Sequence, residues 1–400
     1  MLLLILSGDR TKKSMDNRGI NMRRKTFRYR LYPTRKQNII LMNVLSTCRN
    51  LYNMMLADRK NAYDRCGIGL TYYQQAEQLK YLDLDIYLQV AQDVLRRLDK
   101  AFQAFFRRVK SGDTPGYPRF KSYGRYDSFT YPQSGFKILE DGKLELSKIG
   151  IIRMFMHREI EGRIKTCTIK KDGNQWYASF SVELPDTPKI VPQSSVGVDV
   201  GINTLAVLSD GTEIENPKVL DRYDSKLRRA QRHLSRKKKG SNNRNKQKVV
   251  LSGIYRKVRN IRNDYLHKVS RMLVDKYDII VMEDLQIKNM VKNHYLARSI
   301  HDASWGKLTE FVAYKAEWAG KTVKLVDPRY TSQECSVCGN IQPIPLSQRT
   351  YKCPVCGNVI DRDHNAAINI HNRYVGTDCV ELTPVETTGY GVAEAGSPVS

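Results

Sequence analysis

The chain has 400 residues, which is enough for two or three domains with hydrophobic cores of their own. Its 67 lysines and arginines against 41 acidic residues give a net charge of +26. This favours a polyanionic partner such as nucleic acid over a basic surface that serves only solubility. No stretch approaches the roughly 18 to 20 apolar residues of a membrane span, and no Walker loop, GxGxxG, GxSxG or HExxH motif occurs.

The first part of the chain predicts a small β unit with a helical insertion. Residues 24–37 alternate like a strand up to a proline, and residues 36–62 and 86–110 place apolar side chains at helical spacing. From about residue 126, two Asp-Gly pairs stand between alternating apolar runs, which is typical of β-hairpins. We expect the strand at 24–32 to join these hairpins, so that the helical block interrupts one sheet.

A second pattern begins after a Pro-rich linker at 185–195. The run SVGVDVGINTLAVLSDGTEIE predicts an antiparallel meander, and residues 224–276 predict two long helices around a basic loop. The short segments YDIIVMEDL and KTVKLVDP are rich in Ile and Val, as buried parallel strands are. This order of elements predicts an RNase H-like α/β core.

Half of the eight cysteines form two Cys-x2-Cys knuckles, each ending in glycine: Cys335, Cys338, Cys353 and Cys356. Four thiolates at this spacing suit tetrahedral Zn²⁺ and no hard ion, whereas a disulfide pair or a redox motif is the alternative. Because four protein ligands leave no position for water, the expected zinc is structural. Metal-type knuckles in place of a disulfide framework indicate a reducing compartment, so we expect a cytoplasmic protein.

Acidic residues stand at the ends of the predicted core elements. Asp199 and Glu283 each end an apolar strand, and Asp361 and Asp363 precede a predicted helix. Each alone is more typical of a turn or a helix cap. Three acids at the ends of separate core elements in a strongly basic protein predict instead a site for two Mg²⁺ ions that activate water against a phosphodiester. Spacing does not decide between Asp361 and Asp363.

Residues 226–250 contain many lysines and arginines and no acid. A charge run is normally a solvated face, but a nearly single-signed run favours contact with phosphate. The candidate phosphate-binding residues are Arg228, Arg229, Arg232, Arg236, Lys237, Lys238 and Lys239.

Several motifs, taken in order, resemble the TnpB family of compact transposon-encoded proteins, which are similar to type V CRISPR effector nucleases. The motifs are MRRKTFRYRLYPTRKQ, GVDVGINTLAVLSDG, IIVMEDL, SQECSVCG with YKCPVCG, and DRDHNAAINI, and they span residues 22–373. The resemblance implies a multidomain α+β fold. In it, a RuvC-like (RNase H-like) nuclease core carries an inserted zinc ribbon and follows a β-barrel wedge domain that a helical recognition domain interrupts.

The same resemblance implies the domain boundaries. They are a disordered lead or mis-assigned start at 1–21, a wedge domain at 22–35 and 123–188, a recognition domain at 36–122, a nuclease domain at 195–333 and 358–373, a target nucleic-acid-binding zinc finger at 334–357, and a disordered tail at 374–400.

The implied activity is that of an RNA-guided DNA endonuclease of a mobile element, with Asp199, Glu283 and Asp363 as the acids that ligate two Mg²⁺ ions beside one structural Zn²⁺. The implied partners are a guide RNA from the transposon end and double-stranded target DNA beside a short motif, with no membrane and no small-molecule substrate. The expected location is the cytoplasm of a bacterium or archaeon, at the nucleoid when DNA is bound. The alternatives are a guide-RNA-binding DNA regulator without cleavage and a transposase-type strand-transfer enzyme.

Overall fold

The structure is a computed structural model that describes residues 14–15, 21–345, 347–375 and 380–381. The expected lead and tail therefore lie almost entirely outside the described residues. The chain divides between Pro185 and Asp186 into two compact units. None of the helices within the described ranges combines the length and the apolar composition needed to cross a bilayer.

The N-terminal unit is built on an antiparallel sheet. Its strands are β1 Ser14–Met15, β2 Asn21–Tyr32, β3 Ser128–Tyr131, β4 Phe136–Ile138, β5 Leu144–Leu146, β6 Gly150–Phe155, β7 Arg163–Asp172 and β8 Gln175–Pro185. Their order is β3-β7-β8-β2-β6-β5-β4, and β1 pairs with β2 at its start. Strand β2 therefore lies in the middle of this sheet and pairs with strands more than a hundred residues later, as the sequence predicts.

The helices of this unit interrupt the sheet between β2 and β3. They are α1 Arg35–Cys66, α2 Tyr72–Gln78 and α3 Leu88–Lys110, with a short 3-10 turn at Leu79–Tyr81. Helix α1 begins at a capping box, in which the Thr34 hydroxyl accepts from the Gln37 amide, and it ends at Gly67 in the left-handed region. The two long predicted helices are confirmed, whereas α2 has no clear periodicity in the sequence. The buried faces of α1 and α3 share one core with alternate residues of β2 and β8.

The C-terminal unit contains a mixed sheet. Its strands are β9 Ser195–Val200, β10 Thr204–Leu208, β11 Glu213–Glu215, β12 Ile279–Glu283, β13 Thr322–Val326 and β16 Val380–Glu381, in the order β11-β10-β9-β12-β13-β16. Strands β9, β12 and β13 are parallel, and β10, β11 and β16 are antiparallel to their neighbours. The predicted meander and the two predicted parallel strands are therefore confirmed.

Helices cover both faces of this sheet. They are α4 Val219–Ser235, α5 Asn242–Lys276, α6 Ile287–Met290, α7 His294–Ala303, α8 Trp305–Trp318 and α9 Arg362–Val375. Alternate residues of β12 divide between the two faces: Ile280 and Met282 join the core beneath α5 and α8, whereas Ile279 and Val281 join a smaller core with Ile370 of α9. Helices α4 and α5 are the two long helices that the sequence predicts.

The segment between β13 and α9 carries both cysteine knuckles. Its regular structure is a short antiparallel hairpin of β14 Thr350–Lys352 and β15 Val359–Asp361. Strand β15 runs directly into α9. The position of α9 is therefore set from two sides, by the sheet and by the knuckle segment.

Candidate functional site

Two of the predicted acids lie on the face of the sheet that α9 covers. In β9, Val196 and Val198 point into the core beneath α5 and α8, so Asp199 faces the opposite side. In β12 the same alternation places Glu283 on the side of Ile279 and Val281, which pack against α9. Because β9 and β12 are adjacent and parallel, their carboxyl ends lie side by side.

Helix α9 approaches this face unusually closely at Gly197, two residues before Asp199. A Cβ atom on Gly197 would lie closer than 3.0 Å to the Ala367 carbonyl oxygen and to the backbone nitrogen of His371. Only a residue without a side chain leaves room for the α9 backbone at this point. The close approach packs the middle of α9 directly against β9.

The first turn of α9 distinguishes the two neighbouring acids that spacing alone left open. One oxygen of Asp361 accepts the backbone amides of Asp363 at 2.9 Å and His364 at 3.0 Å. Asp361 is therefore the N-cap of α9. Asp363 lies within the first turn, where its carboxylate raises the pKa of Asp199. Of these two acids, Asp363 is therefore the one that acts on Asp199, and Asp361 caps the helix.

Asp199 and Glu283 are buried, and neighbouring carboxylates repel the charge on Asp199. Burial raises the pKa of Asp199 well above its usual range, Glu283 and Asp363 raise it further, and the Arg362 guanidinium lowers it. Burial also raises the pKa of Glu283, against a hydrogen bond from Thr331 and the positive charge of Arg373. Such a group is costly without a cation and is therefore typical of a functional site.

Asp363 contacts two arginines. Arg362 lies 3.0 Å from one carboxylate oxygen, and Arg349, from the stretch between the two knuckles, lies 3.2 Å from the other. Among the described residues the three carboxylates do not form as close a cluster as the cysteines do. The arrangement nevertheless collects acids from β9, β12 and α9 at one edge.

The four cysteines form a compact group within the described residues, with all four sulfurs within 4.8 Å of one another. The Cys335 and Cys356 sulfurs are 3.6 Å apart, and the Cys338 and Cys353 sulfurs are 3.5 Å apart. The backbone amides of Cys356 and Val355 donate to the Cys353 sulfur, which lowers the pKa of that thiol to about 6. This cluster could hold a metal ion.

Side chains that the sequence analysis did not single out join α9 to the first knuckle. Asn365 donates to the Glu334 carbonyl at 2.7 Å and accepts the Ser336 amide at 3.0 Å. Asn369 donates to the carbonyls of Thr331 and Glu334 at 2.8 and 2.7 Å. Both asparagines are buried. The two asparagines stand four residues apart in the otherwise apolar segment NAAIN. This spacing places them on one face of the helix, and it is the sequence feature that could have predicted their role.

Two cavities lie in the C-terminal unit. A cavity of about 130 Å³ is lined by Met282 and Glu283 of β12, by Val200 at the end of β9, and by Trp305 and Thr309 of α8. A larger cavity of about 530 Å³ lies beside the first knuckle and is lined by Glu334, Asn369 and Arg373, but by none of the three acids. Of the three acids, only Glu283 lines the smaller cavity.

The predicted phosphate-binding residues lie on the last turns of α4 and in the loop before α5. Arg229, Arg232 and the stretch from Arg236 to Lys239 are exposed. Arg228 is exposed as well, but its guanidinium lies 2.7 Å from the Asp224 carboxylate. Most of the run therefore presents positive charge to solvent.

Three family profiles match the chain. The OrfB_IS605 profile, described as "Probable transposase", matches residues 179–294, and a profile described as "Cas12f1-like, TNB domain" matches residues 305–370. A profile described as "Helix-turn-helix domain" matches residues 22–67, where the structure has strand β2 and the single helix α1.

The chain is also similar to individual proteins over most of its length. It is 34% identical to "Putative RNA-guided DNA endonuclease InsQ" of Escherichia coli K12, covering 87% of this chain and 92% of that protein. A "Putative RNA-guided DNA endonuclease" of Streptomyces pristinaespiralis is also 34% identical, with coverage of 87% and 88%. The fold resembles that in a solved Cas12f1–sgRNA–target DNA complex, with a TM-score of 0.59 at 14% identity, covering 88% of this chain and 99% of that one.

The chain thus combines an antiparallel unit that has a helical insertion with an α/β unit that has a four-cysteine cluster, and its fold is similar to that of a Cas12f1 protein. The chain belongs to the TnpB (OrfB/IS605) family.

Proposed function

We propose that this protein is an RNA-guided DNA endonuclease that binds a guide RNA and cuts a double-stranded DNA target by metal-dependent hydrolysis. The observation that supports the proposal is that Asp199 and Glu283 end adjacent parallel strands, and that Glu283 and Asp363 of α9 both raise the pKa of Asp199. The names of its relatives support the RNA-guided and endonuclease parts of the proposal.

The catalytic core is proposed to be RuvC-like. In support, the order β11-β10-β9-β12-β13, with an antiparallel meander followed by two parallel strands, is that expected of an RNase H-like sheet. The antiparallel unit is proposed to be the wedge domain and its helical insertion the recognition domain. The knuckle segment at 334–357 is proposed to be a finger that contacts target nucleic acid.

The three carboxylates fit Mg²⁺ because they are hard oxygen donors whose mutual repulsion a cation would relieve. When bound, Mg²⁺ supplies Lewis-acid polarisation of the phosphodiester and activation of water. Asp199 and Glu283 offer carboxylates from rigid strand ends, and Asp363 offers one from the helix above them. The guanidiniums of Arg362 and Arg349 donate to the two oxygens of the Asp363 carboxylate.

The four cysteines fit one structural Zn²⁺. Zinc–sulfur bonds of about 2.3 Å in a tetrahedron place sulfurs roughly 3.8 Å apart, close to the observed 3.5 and 3.6 Å. Backbone amides donate to the Cys335 and Cys353 sulfurs, as zinc knuckles require. The role of this cluster is to fold the segment that leads into α9.

The exposed basic run is proposed to contact the nucleic-acid backbone. Base pairing with the guide would read the target sequence, and the protein would hold the paired strands through their phosphates. A guide-RNA-binding regulator without cleavage is the rival function, but it would have no use for the grouped carboxylates.

The test is to purify the protein, sequence the RNA that copurifies, and supply a DNA target complementary to that RNA in Mg²⁺. A defined RNA species and cleavage that is lost in Asp199→Ala are expected. Guided binding without cleavage by the wild type would instead support the regulator, and a protein that binds no defined RNA would overturn the proposal.

A further inference from the structure

Thr331 forms a hydrogen bond to Glu283, one of the three acids. The proposed chemistry gives this hydrogen bond no role. Thr331 is a buried polar residue, 4% exposed, on the segment between β13 and the first knuckle. Its hydroxyl lies 2.6 Å from Glu283 Oε1 and 3.1 Å from the Pro328 carbonyl. A hydroxyl has one proton to donate, and it donates that proton to the closer and charged acceptor, which is the Glu283 carboxylate. Thr331 therefore donates to Glu283.

The backbone of Thr331 is fixed independently of this hydrogen bond. Its carbonyl accepts from Asn369 Nδ2 at 2.8 Å, and the same amide donates to the Glu334 carbonyl at 2.7 Å. The preceding residue, Tyr330, has φ of +62°, a region that side-chain-bearing residues rarely adopt. The Tyr330 carbonyl accepts the amides of Gln333 and Glu334 at 2.9 Å each. A strained residue persists only where its surroundings over-determine it.

We infer that Thr331 is a positioning residue that fixes the orientation of the Glu283 carboxylate, and that Asn369 of α9 holds Thr331 in place for this purpose. The inference rests on the proposed function, in which Glu283 ligates a metal ion. A carboxylate with one oxygen hydrogen-bonded has a defined rotamer, and its remaining lone pairs stay available to a cation. The contact joins the strand that carries Glu283 to the helix that carries Asp363 through one residue of the stretch between β13 and the first knuckle.

Groups that hold a metal ligand in place commonly change metal affinity or activity by about 10- to 100-fold when they are removed. Thr331→Val keeps the shape of the side chain and removes the hydroxyl, whereas Thr331→Ser keeps the hydroxyl. We therefore expect Thr331→Val to slow cleavage by about 10- to 100-fold and to raise the Mg²⁺ concentration for half-maximal rate. Thr331→Ser should restore both values to near those of the wild type.

The experiment measures cleavage rate against Mg²⁺ concentration for the wild type, both Thr331 variants and Glu283→Gln, each loaded with the copurifying RNA. In parallel, Mn²⁺ binding to each protein is measured by calorimetry without DNA, which reports on the site without any turnover. Zinc content and melting temperature are measured for each variant. The expected pattern is weaker Mn²⁺ binding in Thr331→Val, normal Mn²⁺ binding in Thr331→Ser, and unchanged zinc and guided DNA binding in both.

If Thr331→Val cuts and binds Mn²⁺ like the wild type while Glu283→Gln is inactive, the inference is wrong and the proposed function stands. If Glu283→Gln cuts normally, the proposed function fails first. Should Thr331→Val unfold, Thr331→Ala and Thr331→Ser form the deciding pair, because they differ by the hydroxyl alone. Equal rates and equal Mn²⁺ affinity in that pair would overturn the inference.

Discussion

Gly197 of β9 and Ala367 of α9 are in such close backbone contact that no side chain fits between them. This contact sets the height of α9 above the sheet, and with it the position of Asp363 relative to Asp199. The arrangement of the acids thus depends on glycine at position 197 as well as on the carboxylates themselves.

Gly197→Ala should therefore lower both stability and cleavage. The added methyl group forces α9 away from the sheet, and overpacking of this kind costs typically about 1–3 kcal/mol. The measurement is the free energy of unfolding together with the guided cleavage rate. Gly253→Ala is the matched control, because Gly253 lies within α5 with nothing near its added Cβ. That control should be neutral or stabilising by up to about 1 kcal/mol, and equal behaviour of the two variants would contradict the argument.

Asp363→Ala should abolish cleavage and leave guided DNA binding intact, because base pairing and phosphate contacts do not need the metal ligands. Asp361→Ala removes the N-cap of α9 instead and should cost about 0.5–2 kcal/mol of stability with milder loss of cleavage. Asp361→Ser, which can still cap the helix, is the control and should recover most of that stability. Loss of cleavage in Asp361→Ala with normal cleavage in Asp363→Ala would reverse the assignment of the third acid.

Asp199→Asn should stabilise the protein in the absence of divalent metal, because it removes one of several buried like charges. The expected gain in the free energy of unfolding in Mg²⁺-free buffer without chelator is about 1 kcal/mol. Added Mg²⁺ should stabilise the wild type by mass action and the variant much less. Asp264→Asn, on the exposed surface of α5, should change stability by no more than about 0.5 kcal/mol. A variant that is less stable than the wild type in Mg²⁺-free buffer would refute this explanation.

About one zinc per chain should be found by elemental analysis, and Cys353→Ser should lose it. Because structural zinc contributes folding free energy directly, the variant should also melt at a lower temperature. Cys66→Ser, at an exposed cysteine outside the cluster, should retain both zinc and stability. Protein purified without chelator that contains no zinc would contradict this prediction.

Replacing Arg236, Lys237, Lys238 and Lys239 with glutamine should weaken nucleic-acid binding. The slope of log affinity against log salt concentration should flatten by roughly one for each phosphate that the protein no longer neutralises. All four residues are exposed, so the melting temperature should stay unchanged and serves as the control. An unchanged salt slope would show that this loop is only a solvated surface.

Elements with strong local signals can be predicted from the sequence. The long helices, the Asp-Gly hairpins and the parallel strands follow from periodicity and turn residues, and the predicted pairing of β2 with the later hairpins is confirmed. The two cysteine knuckles are equally clear, because their spacing has few other meanings. What lies between such elements is not predictable: the short helices α2, α6 and α7 have no long apolar stripe.

The supporting parts of the candidate site escape sequence reasoning for a similar reason. The close approach at Gly197, the Thr331 hydrogen bond to Glu283 and the amide clamps of Asn365 and Asn369 are tertiary contacts between distant residues. Such contacts are indicated by the glycine inside an apolar strand and by the two asparagines in an apolar helix segment. The sequence does not show which residues they contact. The choice of Asp363 over Asp361 likewise depends on which carboxylate caps α9, and this is a matter of geometry.

The central place of β2 in its sheet has a consequence for synthesis on the ribosome. Met22 pairs with Pro185 and Leu31 with Trp176. The residues of β2 from Met22 to Leu31 therefore pair with residues that are synthesised about 150 positions later. At about 5–20 residues per second, this strand emerges on the order of ten seconds before its neighbours exist. Helices α1 and α3 follow β2 in the chain and share its core, so they can pack against it in that interval. Until β6 and β8 are made, the backbone groups on both edges of β2 lack these partners. The strand would then depend on the helical pair, on a chaperone or on early-bound RNA to prevent aggregation.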